Sequence, residues 1–131
     1  MTTAKILSSL LLIPTLAFAD QHISSASQKH VTVTVDEMHR AYENNEISTQ
    51  EKTDAAFLSV KGKIERLKLS FDNTMVIIMS AEKYSRAYFY LEEIERDDAK
   101  KLRKGMTTTV FCRDYKFIAN SINGYGCTFK K

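Results

Sequence analysis

From Phe57 to Glu65 the chain alternates. Leu58, Val60, Gly62 and Ile64 fall on one side, and Ser59, Lys61, Lys63 and Glu65 on the other. A period of two marks a half-buried β-strand. After Arg66 the phase flips, and Leu67 and Leu69 become the apolar set. A flip of this kind predicts a bulge, and Gly62 offers another point of bending. The stretch Phe57 to Ser70 therefore reads as one long, curved strand. Phe71-Asp72-Asn73-Thr74 is turn chemistry, and Met75 to Met79 (MVIIM) is a short, continuously apolar strand. A second turn covers Glu82 to Ser85. The third strand, Arg86 to Leu91 (RAYFYL), sets Ala87, Phe89 and Leu91 on one face and Arg86, Tyr88 and Tyr90 on the other.

Helical spacing brackets these strands. Thr34-Val35-Asp36-Glu37 is a capping box, with Val33 and Met38 placed for a hydrophobic staple. Met38, Ala41 and Tyr42 share a face, His39 and Arg40 fall toward the polar side, and Asn44-Asn45 is a plausible stop. The polar segment Glu46 to Asp54 has room for another helical turn. Further on, Glu92 to Gly105 reads as a short helix. Its acids lead, its bases follow, and Gly105 stands at the C′ position, an order that suits the helix dipole. The basic run Lys100 to Lys104 is read as a dipole-matched helix end in preference to a nucleic-acid patch.

Met106 to Phe117 and Ile122 to Phe129 are the last two strands. A turn at Ile118 to Ser121, centred between Ala119 and Asn120, puts Cys112 opposite Cys127, Val110 opposite Phe129 and Phe117 opposite Ile122. A turn at Asn123-Gly124 would leave Cys112 without a partner position.

The ends of the chain decide how those cysteines are read. Lys5, the apolar run Ile6 to Leu16 and the small-x-small site Ala17-Phe18-Ala19 form a signal-peptide pattern, with cleavage expected after Ala19. Residues 1–19 are thus expected to be removed, 20–33 to be a flexible leader, and 34–131 to form one domain. The alternative for the first stretch is a buried N-terminal helix, which Pro14 disfavours. Export predicts an oxidising compartment, where two cysteines in a small domain most simply form a disulfide. Free structural cysteines are the next reading, and a cysteine nucleophile the last, since His39 is the one histidine outside the leader. The spacing of fifteen fits no metal site. A closed loop of this size stabilises by roughly 3 kcal/mol in the chain-entropy model. The mature chain carries 18 basic and 16 acidic residues, a net charge too small to announce a polyanion partner.

The element order is helix, long bent strand, two strands, helix, two strands. It predicts a mainly β domain, a five-stranded OB-fold Greek-key barrel with an N-terminal α-helix and a helix between strands three and four. An up-and-down meander is the competitor, but it leaves the bend and the placed helix unexplained. The sequence also resembles the bacterial exported OB-fold proteins grouped as "tRNA-anticodon-like". The features that carry this are Ala41-Tyr42 and Asn44-Asn45 in the first helix, VKGKI (Val60 to Ile64), LRKGMTTTVFC (Leu102 to Cys112) and a cysteine, Cys127, in the last strand. The resemblance spans roughly Val33 to Phe129. It implies the fold of an exported domain, and it lends no reaction.

OB-folds bind across strands two and three and the nearby loops. On that basis the candidate binding residues are Lys61, Lys63, Lys83, Tyr84, Arg86, Tyr88 and Tyr90, with Cys112 and Cys127 as the disulfide. Tyr88 and Tyr90 at i, i+2 suit stacking on bases or sugars, and Arg86 a phosphate. Packing under the N-terminal helix and a protein interface are the other readings of the same rings. The chain is expected to be non-enzymatic, with no catalytic residues, cofactor or metal. Its expected role is a protein-interaction module for an envelope or secreted partner, in the periplasm or fully secreted. The alternative is a binder of single-stranded nucleic acid or oligosaccharide. No second apolar stretch approaches transmembrane length.

Overall fold

The computed structural model describes residues 30–82 and 85–131. The expected signal peptide, most of the leader, Lys83 and Tyr84 lie outside the described residues. In chain order the elements are β1 (His30–Thr34), α1 (Val35–Asn44), α2 (Glu46–Asp54), β2 (Phe57–Leu69), β3 (Met75–Ser80) and β4 (Arg86–Leu91). A 3-10 turn (Glu93–Glu95), the single-turn α3 (Arg96–Ala99), β5 (Thr107–Ile118) and β6 (Ser121–Phe129) complete the domain.

The strands close in the order β2–β3–β4–β6–β5 and back to β2, with β4 and β6 parallel and the other ring pairs antiparallel. This is the five-stranded OB barrel. β2 is shared between two neighbours. Ser59 to Lys63 pair with β5, and Ile64 to Leu69 pair with β3. The ladder is irregular between Ile64 and Arg66, the bulge that the phase flip in the sequence predicts. The interior is filled by Val60, Ile64, Ile77, Met79, Phe89, Val110, Ile122 and Cys127, all essentially inaccessible.

α1 begins at its expected capping box. Thr34 Oγ1 accepts from the Glu37 N–H, and the Glu37 carboxylate accepts from the Thr34 N–H. Val35, Met38 and Tyr42 add to the barrel core, and the Tyr42 ring stacks on Phe117 with centroids 4.7 Å apart. Gly62 makes this docking feasible, since a Cβ there would lie 2.7 Å from both Val35 Cγ2 and Met79 Sδ. Asn45 ends α1 in extended backbone and caps α2, its side chain accepting from the Ser48 N–H. The Glu46 to Asp54 stretch is thus a full helix.

The last hairpin turns where the sequence places it. Ile118 pairs with Ser121, and Ala119 and Asn120 both take positive φ, as a two-residue type I′ turn requires. Cys112 stands opposite Cys127, and the two are joined as a disulfide. Both strands change phase between Cys112 and Tyr115 and between Gly124 and Cys127, so residues 110, 112, 115 and 117 and residues 122, 124, 127 and 129 all turn inward or toward the core. The shifts cancel, and the register holds from end to end.

Three expectations are corrected. The leader assigned to 20–33 gives way at His30: residues 30–34 form a strand parallel to the first half of β2, because Val31 and Val33 pack against the barrel. The helix expected over Glu92 to Gly105 is only the 3-10 turn and α3. A segment this short gains little from its own hydrogen bonds, and Gly105, at φ 93°, closes a loop by donating its N–H to the Ile64 carbonyl at 2.8 Å. His39 is buried rather than on the polar side. It lies 3.7 Å from the Glu43 carboxylate, 3.4 Å from the Asn120 carbonyl and edge-on to Phe117.

Candidate functional site

The registers of β2, β3, β4 and β6 define an outer face row by row, because directly opposed residues point to the same side of a sheet. One row is Arg66, Ile78, Tyr88, Asn123 and Lys116. The next is Lys68, Val76 and Tyr90. Tyr90 stacks on Tyr125 with centroids 5.2 Å apart and planes 7° from parallel, and Tyr125 is paired with Asp114. Val76 and Ile78 are buried although they point outward, flanked by the long stems of Lys68 and Arg66 on one side and the tyrosine rings on the other. The result is an apolar floor with a tyrosine cluster along one edge and two cations along the other.

The Tyr90 hydroxyl has its pKa raised, first by burial and then by the nearby Tyr125 and Tyr88 hydroxyls. Tyr88 and Tyr90 are half-buried, and Tyr125 is exposed. These rings therefore lie on an open face and are not packed under α1.

The structure separates the candidate cations into two classes. Arg86 stands on this face, but its Nε donates to both carboxylate oxygens of Glu65 at 3.1 Å, and Lys116 lies 3.7 Å from Asp114. Among the described residues Lys61, Lys63, Arg66 and Lys68 are exposed, with no ion pair and no side-chain hydrogen bond. Lys61 and Lys63 sit on the half of β2 paired with β5, opposite Thr109 and Thr107, away from the tyrosine rows. An open cleft beside Arg66 is lined by Glu65, Leu67, Leu102, Arg103 and Lys104, and it adds two cations with no ion pair among the described residues. Sequence reasoning missed Tyr125, Arg66 and Lys68. Tyr125 entered through the β4–β6 pairing, which joins strands distant in sequence. Arg66 and Lys68 belonged to the half of β2 whose outward phase depends on the bulge.

At the α3 end of the barrel, Leu67, Leu69, Met75, Val76, Leu91 and Ala99 line a cleft of about 350 Å³, with Lys68, Arg96 and Lys100 also in its wall. Leu69, Phe71 and Ile94 are exposed in this part of the chain, and the Arg96 guanidinium ties α3 to the β2–β3 turn through the Asn73 carbonyl at 3.0 Å. Among the described residues no helix is long and apolar enough to cross a membrane.

No protein-family model and no curated protein matches this sequence. Among solved structures, the chain is similar to the crystal structure of a proposed nucleic acid-binding lipoprotein from Klebsiella pneumoniae. The TM-score is 0.61 at 15% identity, and the match covers 83% of this chain and 97% of the other. At that identity the likeness is one of fold.

Proposed function

We propose that this chain is a non-enzymatic, exported OB-fold module that binds single-stranded nucleic acid on the outer face of β3, β4 and β6. The observation that carries the reading is the tyrosine cluster, Tyr88, Tyr90 and Tyr125, set across the Val76–Ile78 floor from the unpaired Arg66 and Lys68. Stacking of a base on an aromatic ring contributes roughly 1–3 kcal/mol and tolerates any base, while the cations take phosphates. The fold neighbour has nucleic-acid binding proposed for it, which supports the same ligand class here. The disulfide and the resemblance to exported OB-fold proteins support a place outside the cytoplasm, with the periplasm the natural compartment. Binding by stacking and ion pairing calls for no cofactor.

Fluorescence anisotropy with a labelled single-stranded oligonucleotide tests the reading. Wild type is expected to bind at low salt and to weaken as salt rises, and Tyr90→Ala to weaken binding by roughly tenfold. Salt-insensitive binding of a neutral oligosaccharide through the same tyrosines would move the ligand to sugars. Absence of binding at low salt would reject the polyanion. A protein-interaction role is the second reading, and the exposed Leu69, which lines the cleft at the α3 end of the barrel, together with the exposed Phe71 and Ile94, favours it.

A further inference from the structure

Four cations with no ion-pair partner among the described residues lie on a single strand. Lys61 and Lys63 precede the bulge of β2, and Arg66 and Lys68 follow it. Unbroken alternation would have turned Arg66 and Lys68 inward once Lys61 and Lys63 faced out. The extra residue at the bulge keeps all four on the outer side, while Ile64 and Leu67 stay with the core. Six residues of strand lie between Lys61 and Lys68, seven steps in all and a span of roughly 20 Å along the bent strand. Glu65, the one acid within that run, is occupied by Arg86.

The far end of this stripe holds a second aromatic group. Phe57 and Phe111 are exposed at 48% and 40%, with centroids 6.4 Å apart, and the His30 ring stands edge-on to Phe111 at 5.6 Å. His30 Nε2 is 3.1 Å from Ser59 Oγ, which anchors the histidine across β1 and β2. Phe111 shares its row with Thr32 and Ser59, and the next outer rows carry the lysines beside short polar residues: Thr34, Lys61 and Thr109, then Lys63 and Thr107. Two neighbouring phenylalanines facing solvent on a sheet are an exposed apolar patch that marks a contact surface.

We infer that a single nucleic-acid strand occupies both aromatic groups at once. It stacks bases on Tyr88 and Tyr90, carries its phosphates along Lys68, Arg66, Lys63 and Lys61, and stacks again on Phe111 and Phe57. This rests on the binding proposed for the tyrosine face and sets its length and path. The site spans the bend of β2, from the β3–β4 face to the β1–β2–β5 face, and falls within the roughly 4–16 nucleotides that one OB-fold covers. Charge and spacing select the occupant: a repeating anion with an aromatic group per repeat matches four cations between two ring clusters.

The test compares labelled oligothymidylates of about 4 and about 12 nucleotides, using wild type, Lys61→Ala/Lys63→Ala and Arg66→Ala/Lys68→Ala. Thermal unfolding checks that each variant is folded. Lys61 and Lys63 have no side-chain partners among the described residues, so their removal leaves the fold intact. In wild type the longer oligomer is expected to bind more tightly and with a steeper salt dependence. Lys61→Ala/Lys63→Ala should weaken the short oligomer clearly less than the long one. For the long one it should cost roughly tenfold at low salt and lower the log–log salt slope by about 1.4. Arg66→Ala/Lys68→Ala should weaken both lengths. The path is overturned if Lys61→Ala/Lys63→Ala changes neither oligomer, or weakens both alike. If neither oligomer binds wild type at low salt, the tyrosine-face reading fails and the path falls with it.

Discussion

Replacing Gly124 with alanine tests how the disulfide is packed. Gly124 lies in β6, buried, in ordinary strand backbone, so an added methyl meets steric resistance and no backbone strain. Its Cβ would stand 2.6 Å from Cys112 Sγ, 2.8 Å from Phe89 Cδ1 and 3.2 Å from Cys127 Sγ. None of these can step aside easily: Phe89 and Cys127 are fully buried, and the two sulfurs are bonded to each other. Overpacking of this kind costs about 1–3 kcal/mol. Removing the sulfurs in Cys112→Ala/Cys127→Ala costs about 3 kcal/mol by the loss of the crosslink, but it also clears two of the three close contacts. Gly124→Ala should therefore be much cheaper in that background, below about 1 kcal/mol, giving a coupling of about 1–2 kcal/mol. Reversible urea unfolding followed by circular dichroism on the four proteins reads this cycle. Additive costs, or a Gly124→Ala variant as stable as wild type in the oxidised protein, would refute the idea that Gly124 exists to house the disulfide.

Other consequences can be measured alongside. The Tyr115 phenol donates to the Leu58 carbonyl at 2.7 Å and accepts from the Cys112 N–H at 3.0 Å, and burial pushes its pKa up to about 12 from an ordinary 10.0. An unfolded tyrosine releases its proton near pH 10 and the folded one near 12. This group's contribution is therefore complete below pH 10 and lost as pH rises toward 12, on the order of 2–3 kcal/mol. Alkaline denaturation should show that decline in wild type and a shallower one in Tyr115→Phe, which is less stable at neutral pH by about 1–3 kcal/mol. Ala119 occupies the left-handed region at φ 50°, and Ala119→Asn should raise stability by about 0.5–1 kcal/mol in thermal melts; a lower Tm would contradict the type I′ assignment. Glu65→Gln removes the charge that engages Arg86, and affinity for a labelled oligothymidylate at low salt should rise about two- to fivefold. An unchanged affinity would place Arg86 outside the binding face.

Local chemistry made much of the fold legible. The capping box at Thr34, the phase flip after Arg66 and the Ala119–Asn120 turn each rest on neighbouring residues, and each stands as expected. The cysteine pairing followed because one turn position fixes every partner in a two-residue hairpin. What escaped depended on distant segments. β1 forms because β2 offers an edge to Val31 and Val33, and nothing in the five residues His30–Thr34 declares that partner. The segment after β4 has the charge order of a helix, but the loop must turn back at Gly105 to reach Ile64, and that closure cuts the helix short. At the candidate site, Tyr88 and Tyr90 could be read from alternation, whereas the pairing of Arg86 with Glu65 could not. Lys61 and Lys63 were legible as outward cations, and their distance from the tyrosines only emerges from the bend.

The central claim is that a polyanion lies across the tyrosine rows, and an NMR titration of the oxidised, isotopically labelled protein with a single-stranded oligonucleotide tests it most directly. The account predicts salt-sensitive amide shifts concentrated at Arg66, Lys68, Val76, Ile78, Tyr88, Tyr90, Asn123 and Tyr125. Shifts confined to Leu69, Phe71 and Ile94, or none at low salt, would contradict it.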